Sequence, residues 1–320
     1  MVQATPYAQL SPDAVLAAVE SVGVATDGRL LALNSFENRV YQVGVEDSAP
    51  LVAKFYRGGR WSTAAIEEEH AFALELDAAE LPVVAPLTFA GSTLLQSGNF
   101  RFALYPRQGG RAPELESADN LMWMGRLLAR LHGVGSRDGF RARGTLDRAS
   151  LIQVPSRAVL ASPLLPPTSR DRYARAIEAL DGLIAARFAS VDAVRNLRLH
   201  GDCHAGNVLW TDSGPHFVDL DDARMGPAVQ DLWMLAPNPR ALDMLLEGYA
   251  EFRDFDRHEL ALVEPLRVMR QIHYAGWIAQ RWDDPAFPRA FPFAAEAGWW
   301  ERHVNDLLEA AGSLDTGTSE

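Results

Sequence analysis

The chain has 320 residues, 48% of them apolar, so it can bury a sizeable core; its length exceeds that of a usual single domain, and two lobes are expected rather than disorder. A formal charge of -12 with no basic block argues against nucleic acid or an anionic membrane surface as the main partner. A single cysteine, Cys203, excludes an internal disulfide and thiolate-rich zinc or iron-sulfur sites.

The first two dozen residues carry no basic leader followed by an apolar core, and no later run offers eighteen charge-free apolar residues, so a cytoplasmic protein that does not enter a membrane is expected. Ser11 as N-cap and Pro12 at the first helical position announce a helix whose inner face carries Val15, Val19 and Val22. Three strands follow, "LLALNS" from residue 30, "VYQVGV" from 40 and "LVAKFY" from 51, an arrangement that predicts an antiparallel meander. After the turn "RGGR", the periodicity predicts a helix over Ser62 to Ala79 with Ile66, Phe72, Ala73 and Leu76 on its buried face. Glu69 falls in the middle of that apolar stripe, while Glu67 and Glu68 point elsewhere. A carboxylate there needs a partner, and Lys54 on the preceding strand is the expected one.

Two further strands, "TLLQS" and "FRFALY", lead into "PRQGGRAPELES", whose proline and glycine density reads as a linker, and the lobe boundary is set near Pro106. The expected lobes are therefore 1–106 and 107–320. Beyond the linker the pattern turns helical: Leu121, Met124, Leu128 and Leu131 mark one helix, Tyr173, Ile177, Leu180 and Ile184 another, and a Pro/Ser-rich loop around 153–169 separates them. The segments "LRLH", "NVLW", "TDSG" and "HFVDL" are expected to form one β-ribbon among these helices. Helical patterns resume through "ALDMLLEGYAEF", "ELALVEPLRVMRQIHYAGWIAQRW" and "WWERHVNDLLEA", and "GSLDTGTSE" reads as a frayed polar tail.

The stretch "LHGDCHAGNVLW", residues 199–210, gathers the chemistry. A zinc site on His200 and His204 would want a helix, yet Gly201 and Gly206 between strands argue for a loop. Cys203 as a nucleophile has only sequence-adjacent histidines behind it, and a lone cysteine is most often a small hydrophobe. A third reading accounts for more residues. Asn207 follows Asp202 by five positions, the interval of the H-R-D-x-x-x-x-N kinase loop, and Asp219 in "FVDLDDA" stands where the D-F-G aspartate would. Phosphoryl transfer asks for a carboxylate near the acceptor hydroxyl, oxygen ligands for magnesium and a cation on the donor phosphates. Asp202, Asn207 with Asp219, and Lys54 fill those roles in order, so the residues by themselves reach an ATP-dependent phosphotransferase acting on a hydroxyl.

These motifs resemble the aminoglycoside phosphotransferase and choline kinase superfamily, whose catalytic loop reads H-G-D-x-H-x-x-N. The longer blocks "LNSFENRVYQ", "AKFYRGGRW", "EEHAFAL", "FVDLDDARMGPAVQDLWML" and "DPAFPRAFP" are similar to a bacterial branch of it, over roughly residues 10–310. The resemblance implies an α+β, protein-kinase-like fold with a small antiparallel-sheet lobe and a larger, mainly helical one. It implies Asp202 as proton acceptor, Asn207 and Asp219 as magnesium ligands and Ser35 as an ATP contact. It further implies a monomeric, cytoplasmic Ser/Thr protein kinase of the bacterial stress response. On this reading adenine docks near the linker at Leu104 to Pro106, Tyr105 included, and Lys54, held by Glu69, grips the phosphates.

Two departures stand out. The phosphate loop "LNSFENRV" has no glycine, so side chains such as Ser35 or Asn38 must help to hold phosphate. No Arg precedes Asp202 and no A-P-E segment follows, so loop phosphorylation is not expected to switch the protein. His204 either steadies the transferring group or orders the loop, Asp231 either holds loop backbone or caps a helix, and Asp221 and Asp222 are left as outer or solvated groups. Two other functions stay open: a small-molecule kinase of the aminoglycoside, choline or homoserine type, and a pseudokinase scaffold.

Overall fold

A computed structural model describes residues 6–191 and 194–316. Helix α1 (Pro12–Glu20) begins as expected, with the Ser11 hydroxyl accepting from Ala14 N and Pro12 where no N–H is needed. Strands β1 (Thr26–Leu33), β2 (Arg39–Val45) and β3 (Leu51–Phe55) are followed by α2 (Thr63–Ala78), capped by Ser62, and by β4 (Leu95–Ser97) and β5 (Phe100–Pro106). They form one antiparallel sheet in the order β1-β2-β3-β5-β4. The α+β class expected from the sequence is the one found.

Alternation along the sheet decides what each face buries. Ala53, Phe55, Phe102 and Leu104 pack with Val15 and Val19 of α1. Tyr56 and Ala103 pack with Ile66 of α2 on the other face. Lys54 therefore sits in the central strand, opposite Val40 on one side and Ala103 on the other, on the face that α2 covers.

Pro106, expected as the lobe boundary, is the last residue of β5, and the Gly-rich segment after it is stitched to the ribbon that follows residues 199–207. Arg111 and Trp210 exchange backbone hydrogen bonds at 2.9 and 2.7 Å. Helix α3 (Ala118–Gly135) then crosses a later helix at close range. The Pro/Ser-rich segment departs from expectation: residues 149–153 form a π turn that runs into α4 (Val154–Ala161). Pro155 lies in the first turn, where proline costs no hydrogen bond, and its ring packs against Gly276, where a Cβ would come within 2.3 Å. Helix α5 (Pro167–Ser190) follows.

The expected single ribbon is two separate pairs. Strand β6 (Leu197–Arg198) does not join β7 (Val208–Thr211) and β8 (Gly214–Phe217), which form a hairpin; it pairs with β9 (Met225–Gly226). Residues 199–207 leave the line of β6 as a loop, Leu199 N bonding to Arg224 O at 3.0 Å, so the register carries β6 to the segment after Asp219. Helices α6 (Val229–Trp233), α7 (Pro239–Ala250), α8 (Val263–Gln280), α9 (Ala286–Ala290) and α10 (Ala297–Thr316) complete the chain. Gly125 and Gly248 let α3 and α7 cross backbone to backbone: a Cβ at either would lie 2.0 Å from Leu245 O or 2.1 Å from Met122 O. The expected frayed tail is helical through Thr316; residues 317–320 lie outside those described.

By compactness the chain divides into Met1–Gly144 with Asn196–Phe255, and Thr145–Arg195 with Asp256–Glu320. The first unit holds the sheet, α2, α3, α6, α7 and every candidate site residue. The second pairs α4 with α8 and α5 with α10, around a cluster of Ile278, Phe287, Phe291 and Ala294. Among the described residues, no helix is long and apolar enough to cross a membrane.

Candidate active site

The loop between β6 and β7 is held from beneath by Asp231 of α6. Its buried carboxylate accepts from His200 N and Gly201 N, each at 2.9 Å, and from His132 Nε2 at 3.1 Å. The Tyr249 hydroxyl bonds the other nitrogen of His132 at 3.0 Å. Of the two roles weighed for Asp231, holding loop backbone is the one the geometry supports. His200 Nε2 donates to Val218 O at 3.0 Å, so this loop and the segment after β8 are fixed to each other. At Gly201 φ is 83° and a Cβ would lie 2.1 Å from Asp222 O, a close approach that only glycine allows.

Asp202 then emerges with its side chain 23% exposed, Oδ2 being 3.5 Å from His204 Nε2. Asn207 Nδ2 donates to the Asp202 carbonyl at 2.9 Å, which leaves the amide oxygen as its remaining acceptor. His204 Nδ1 accepts from Gly206 N at 2.9 Å and caps the short turn to Asn207, so it orders the loop while its other nitrogen faces Asp202. Neither histidine is arranged as a metal pair. Cys203 is fully buried and burial raises its thiol well above the ordinary value, which disfavours a thiolate nucleophile.

Asp219 follows β8 in the left-handed region, φ 60° and ψ 64°, a conformation that costs a non-glycine residue about 1 kcal/mol. That turn brings its carboxylate to Lys54, Nζ to Oδ1 at 2.8 Å, and the same ammonium lies 3.3 Å from Asp221 Oδ1. Burial works against the Lys54 charge, but Asp219 and Asp221 outweigh it and hold the ammonium well above an ordinary lysine. The Lys54–Glu69 ion pair expected from the sequence is not formed. Glu69 is buried as expected, but the cation nearest its carboxylate is Arg143, at 3.8 Å. The reason is a second glutamate: Glu68 accepts from the backbone N–H groups of Arg141, Ala142 and Arg143, pinning that loop so that Arg143 reaches inward. There Arg143 donates to Ala65 O at 2.8 Å, to Ala223 O at 2.5 Å and to Asp221 O.

Burial pushes the Glu69 carboxyl up to about 7, Lys54 and Arg143 pulling it down only in part. The folded state therefore holds this proton more tightly than the unfolded chain. The contribution is fully present below about pH 4.5, is lost as pH rises through about 7 and is flat above, a change on the order of 3 kcal/mol. Glu69→Gln should remove that part of the slope, measured by chemical denaturation at pH 5 and pH 8. Equal slopes in variant and wild type would refute the assignment.

Ser35 lies half-buried in the loop between β1 and β2. That glycine-free loop is laced from outside: Arg57 donates to Glu37 O at 2.9 Å and Phe36 O at 3.3 Å, and Arg39 to Phe36 O at 3.1 Å. Asn38 is buried, its Oδ1 accepting from Arg57 N at 3.1 Å and its Nδ2 donating to Asp221 Oδ2 at 3.2 Å. Tyr105 directs its hydroxyl toward α2, 3.0 Å from that of Tyr56, which in turn lies 2.7 Å from His70 Nε2. Burial first, then the nearby Lys54 and Arg143 charges, lower His70 to about 3 and keep it neutral.

Sequence reasoning missed Arg60, Arg143 and the rank of Asp221. Far from solvated, Asp221 is 3% exposed. Burial acts to raise its carboxyl, but Arg60 and Lys54 prevail and hold it below the usual range. The density of acids in "DLDDA" was the available signal; nothing in "RGGRW" distinguishes Arg60 from a solvated turn residue.

Asn207 and Asp219 offer oxygen donors only, suited to a hard divalent cation. Among the described residues no group of three or more His, Cys, Asp or Glu forms a cage of its own.

An antiparallel sheet whose buried lysine pairs with an Asp beyond a hairpin, with an Asp/Asn loop leading into that hairpin, is the arrangement of a kinase-like phosphotransferase. A model of the phosphotransferase enzyme family matches residues 29–263, and the chain belongs to that family. The chain is a kinase and a relative of stress response kinase A: it is 43% identical to that protein of Escherichia coli (strain K12) over 313 residues, 96% of this chain and 94% of that one. It is 42% identical to the serine/threonine protein kinase RdoA of Salmonella typhimurium over 308 residues, 95% and 93% of the two chains. Among solved structures, amicoumacin kinase hAmiN in complex with AMP-PNP, Ca2+ and Ami is similar in fold, with a TM-score of 0.72 and 15% identity over 90% of this chain and 91% of that one.

Proposed function

We propose that this kinase transfers the γ-phosphoryl group of ATP, with magnesium, to a Ser or Thr hydroxyl of a protein, as a monomer in the cytoplasm during a bacterial stress response. The observation that carries the transfer itself is that Lys54, Asp202, Asn207 and Asp219, drawn from β3, the β6–β7 loop and the end of β8, lie in one compact unit with the first and last ion-paired. What supports a protein acceptor is the likeness to serine/threonine protein kinase RdoA across 95% of the chain.

Asp202 accepts the proton of the attacking hydroxyl as the new O–P bond forms and the bond to the ADP leaving group breaks. Lys54 exchanges its bond to Asp219 for the donor phosphates, and Ser35 in the loop between β1 and β2 contacts them. Adenine rests near Leu104 to Pro106, with Tyr105 fixing that end of β5. Asn207 and Asp219 would hold magnesium, which supplies charge neutralisation at the phosphates. Where it is ionised, Glu69 acts on Lys54 through the field of its charge rather than by direct contact.

A small-molecule acceptor is the second reading, favoured by the likeness in fold to amicoumacin kinase. Labelled ATP with magnesium, offered with the protein itself, a generic protein and a panel of amino alcohols, followed by phosphoamino-acid analysis, separates the two. Label on Ser or Thr is the expected result. Label only on small hydroxyl compounds would overturn the protein acceptor, and bound nucleotide with no transfer at all would overturn the kinase mechanism.

A further inference from the structure

The turn between β3 and α2 contributes a guanidinium that touches two loops at once. Arg60 Nε lies 3.8 Å from Glu37 Oε1, in the loop between β1 and β2. Its two terminal nitrogens go to the segment after β8: one bonds Asp221 Oδ2 and the other reaches Asp222 Oδ1 at 2.8 Å. One side chain, itself only 14% exposed, thus hydrogen-bonds two carboxylates of one loop and stands at ion-pair distance from a third in the other, Glu37, which Arg57 also approaches at 3.2 Å. Asn38 makes the same link in parallel, from its own loop to Asp221. Planar, always charged and carrying its donors in a fixed fork, an arginine suits this span in a way a lysine does not. A glycine-rich loop follows phosphate by backbone freedom; this glycine-free loop is instead held by side chains to the segment that carries Asp219.

We propose that Arg60 is a positioning residue that locks the phosphate loop to the metal-binding loop, so that nucleotide and magnesium bind as one coupled unit. The inference rests on the nucleotide and magnesium roles proposed above for Ser35, Asn207 and Asp219. Either ligand alone would engage one of the two loops, and only the two together need both loops in register, so loss of Arg60 removes the coupling rather than either site. Arg143 and Trp61 pack close by, the Arg143 guanidinium 4.3 Å from the indole centre, but neither bridges Glu37 to Asp221.

Two measurements test it. In the ligand-free protein, hydrogen exchange of the amides of residues 34–38 should accelerate by about 10-fold or more in Arg60→Gln, and less in Arg60→Lys. In equilibrium titrations with a fluorescent ADP analogue, magnesium should tighten binding to the wild type, and that tightening should shrink by about 10-fold in Arg60→Gln while metal-free affinity moves by less than about 2-fold. Unchanged exchange, or an unchanged magnesium effect, overturns the proposal, as does an equal loss of affinity with and without the metal. Should Arg60→Gln not fold, Asp222→Asn weakens the same link from its more exposed end and is read against the same outcomes. A wild type that binds the ADP analogue without any magnesium effect defeats the metal assignment and with it the coupling, whereas accelerated loop exchange in the variant would then still show the lock.

Discussion

Asp202→Ala is expected to lower phosphoryl transfer by about 10³-fold while leaving binding of an ADP analogue within about 2-fold of wild type. The asymmetry follows from where Asp202 stands. Its carboxylate faces solvent and His204 at the mouth of the loop, whereas the residues proposed to hold nucleotide, Lys54 and Ser35, belong to the sheet and its first loop. On the proposed mechanism, removing it deletes a group that acts on the acceptor's proton and on nothing the donor needs in the ground state. The fold should tolerate the change, because the backbone of the loop is fixed by Asp231 and not by Asp202. Single-turnover transfer compared with equilibrium binding checks this, and a variant that retains normal turnover would remove Asp202 from the chemistry.

The second large effect concerns stability. Asp231→Ala strands two backbone N–H groups, of His200 and Gly201, and the Nε2 of His132, all in the interior. Leaving a buried donor unsatisfied costs about 1–3 kcal/mol, so three of them together cost on the order of 5 kcal/mol, a large fraction of a domain's total stability. A fall in Tm of roughly 10 °C or more is expected, with transfer lost because residues 200–202 no longer hold their turn. Asp231→Asn keeps an acceptor oxygen and should fall between wild type and Ala. A Tm within about 2 °C of wild type in the Ala variant would show that water replaces the carboxylate and that the anchor is dispensable.

The elements legible in the sequence were those whose cause is local. Ser11 and Pro12 fix the start of α1 because a cap and a proline act within one turn. The alternation around Lys54 and the spacing of Ile66, Phe72 and Leu76 mark faces because side-chain direction repeats with the backbone period. Asp202, Asn207 and Asp219 were legible as a pattern for a related reason: loop and hairpin lengths set where each falls along the chain. What was misread depended on distant partners. The segment 149–161 is helical and seats Pro155 against Gly276, more than a hundred residues on, a partner that proline and serine density there does not announce. The pairing of β6 with β9 depends on how residues 199–207 fold away between them.

By itself, then, the sequence determined the order of elements, the buried stripe of α2 with a carboxylate in it, and the set of chemical groups of a phosphotransferase. Only the tertiary structure decided which charges pair. A buried ammonium takes whichever carboxylates the backbone delivers to it, and the left-handed turn at Asp219 delivers Asp219 and Asp221 to Lys54, while Glu68 delivers Arg143 to Glu69. Ion pairing is set by distance and desolvation in three dimensions, and neither is encoded by spacing along the chain.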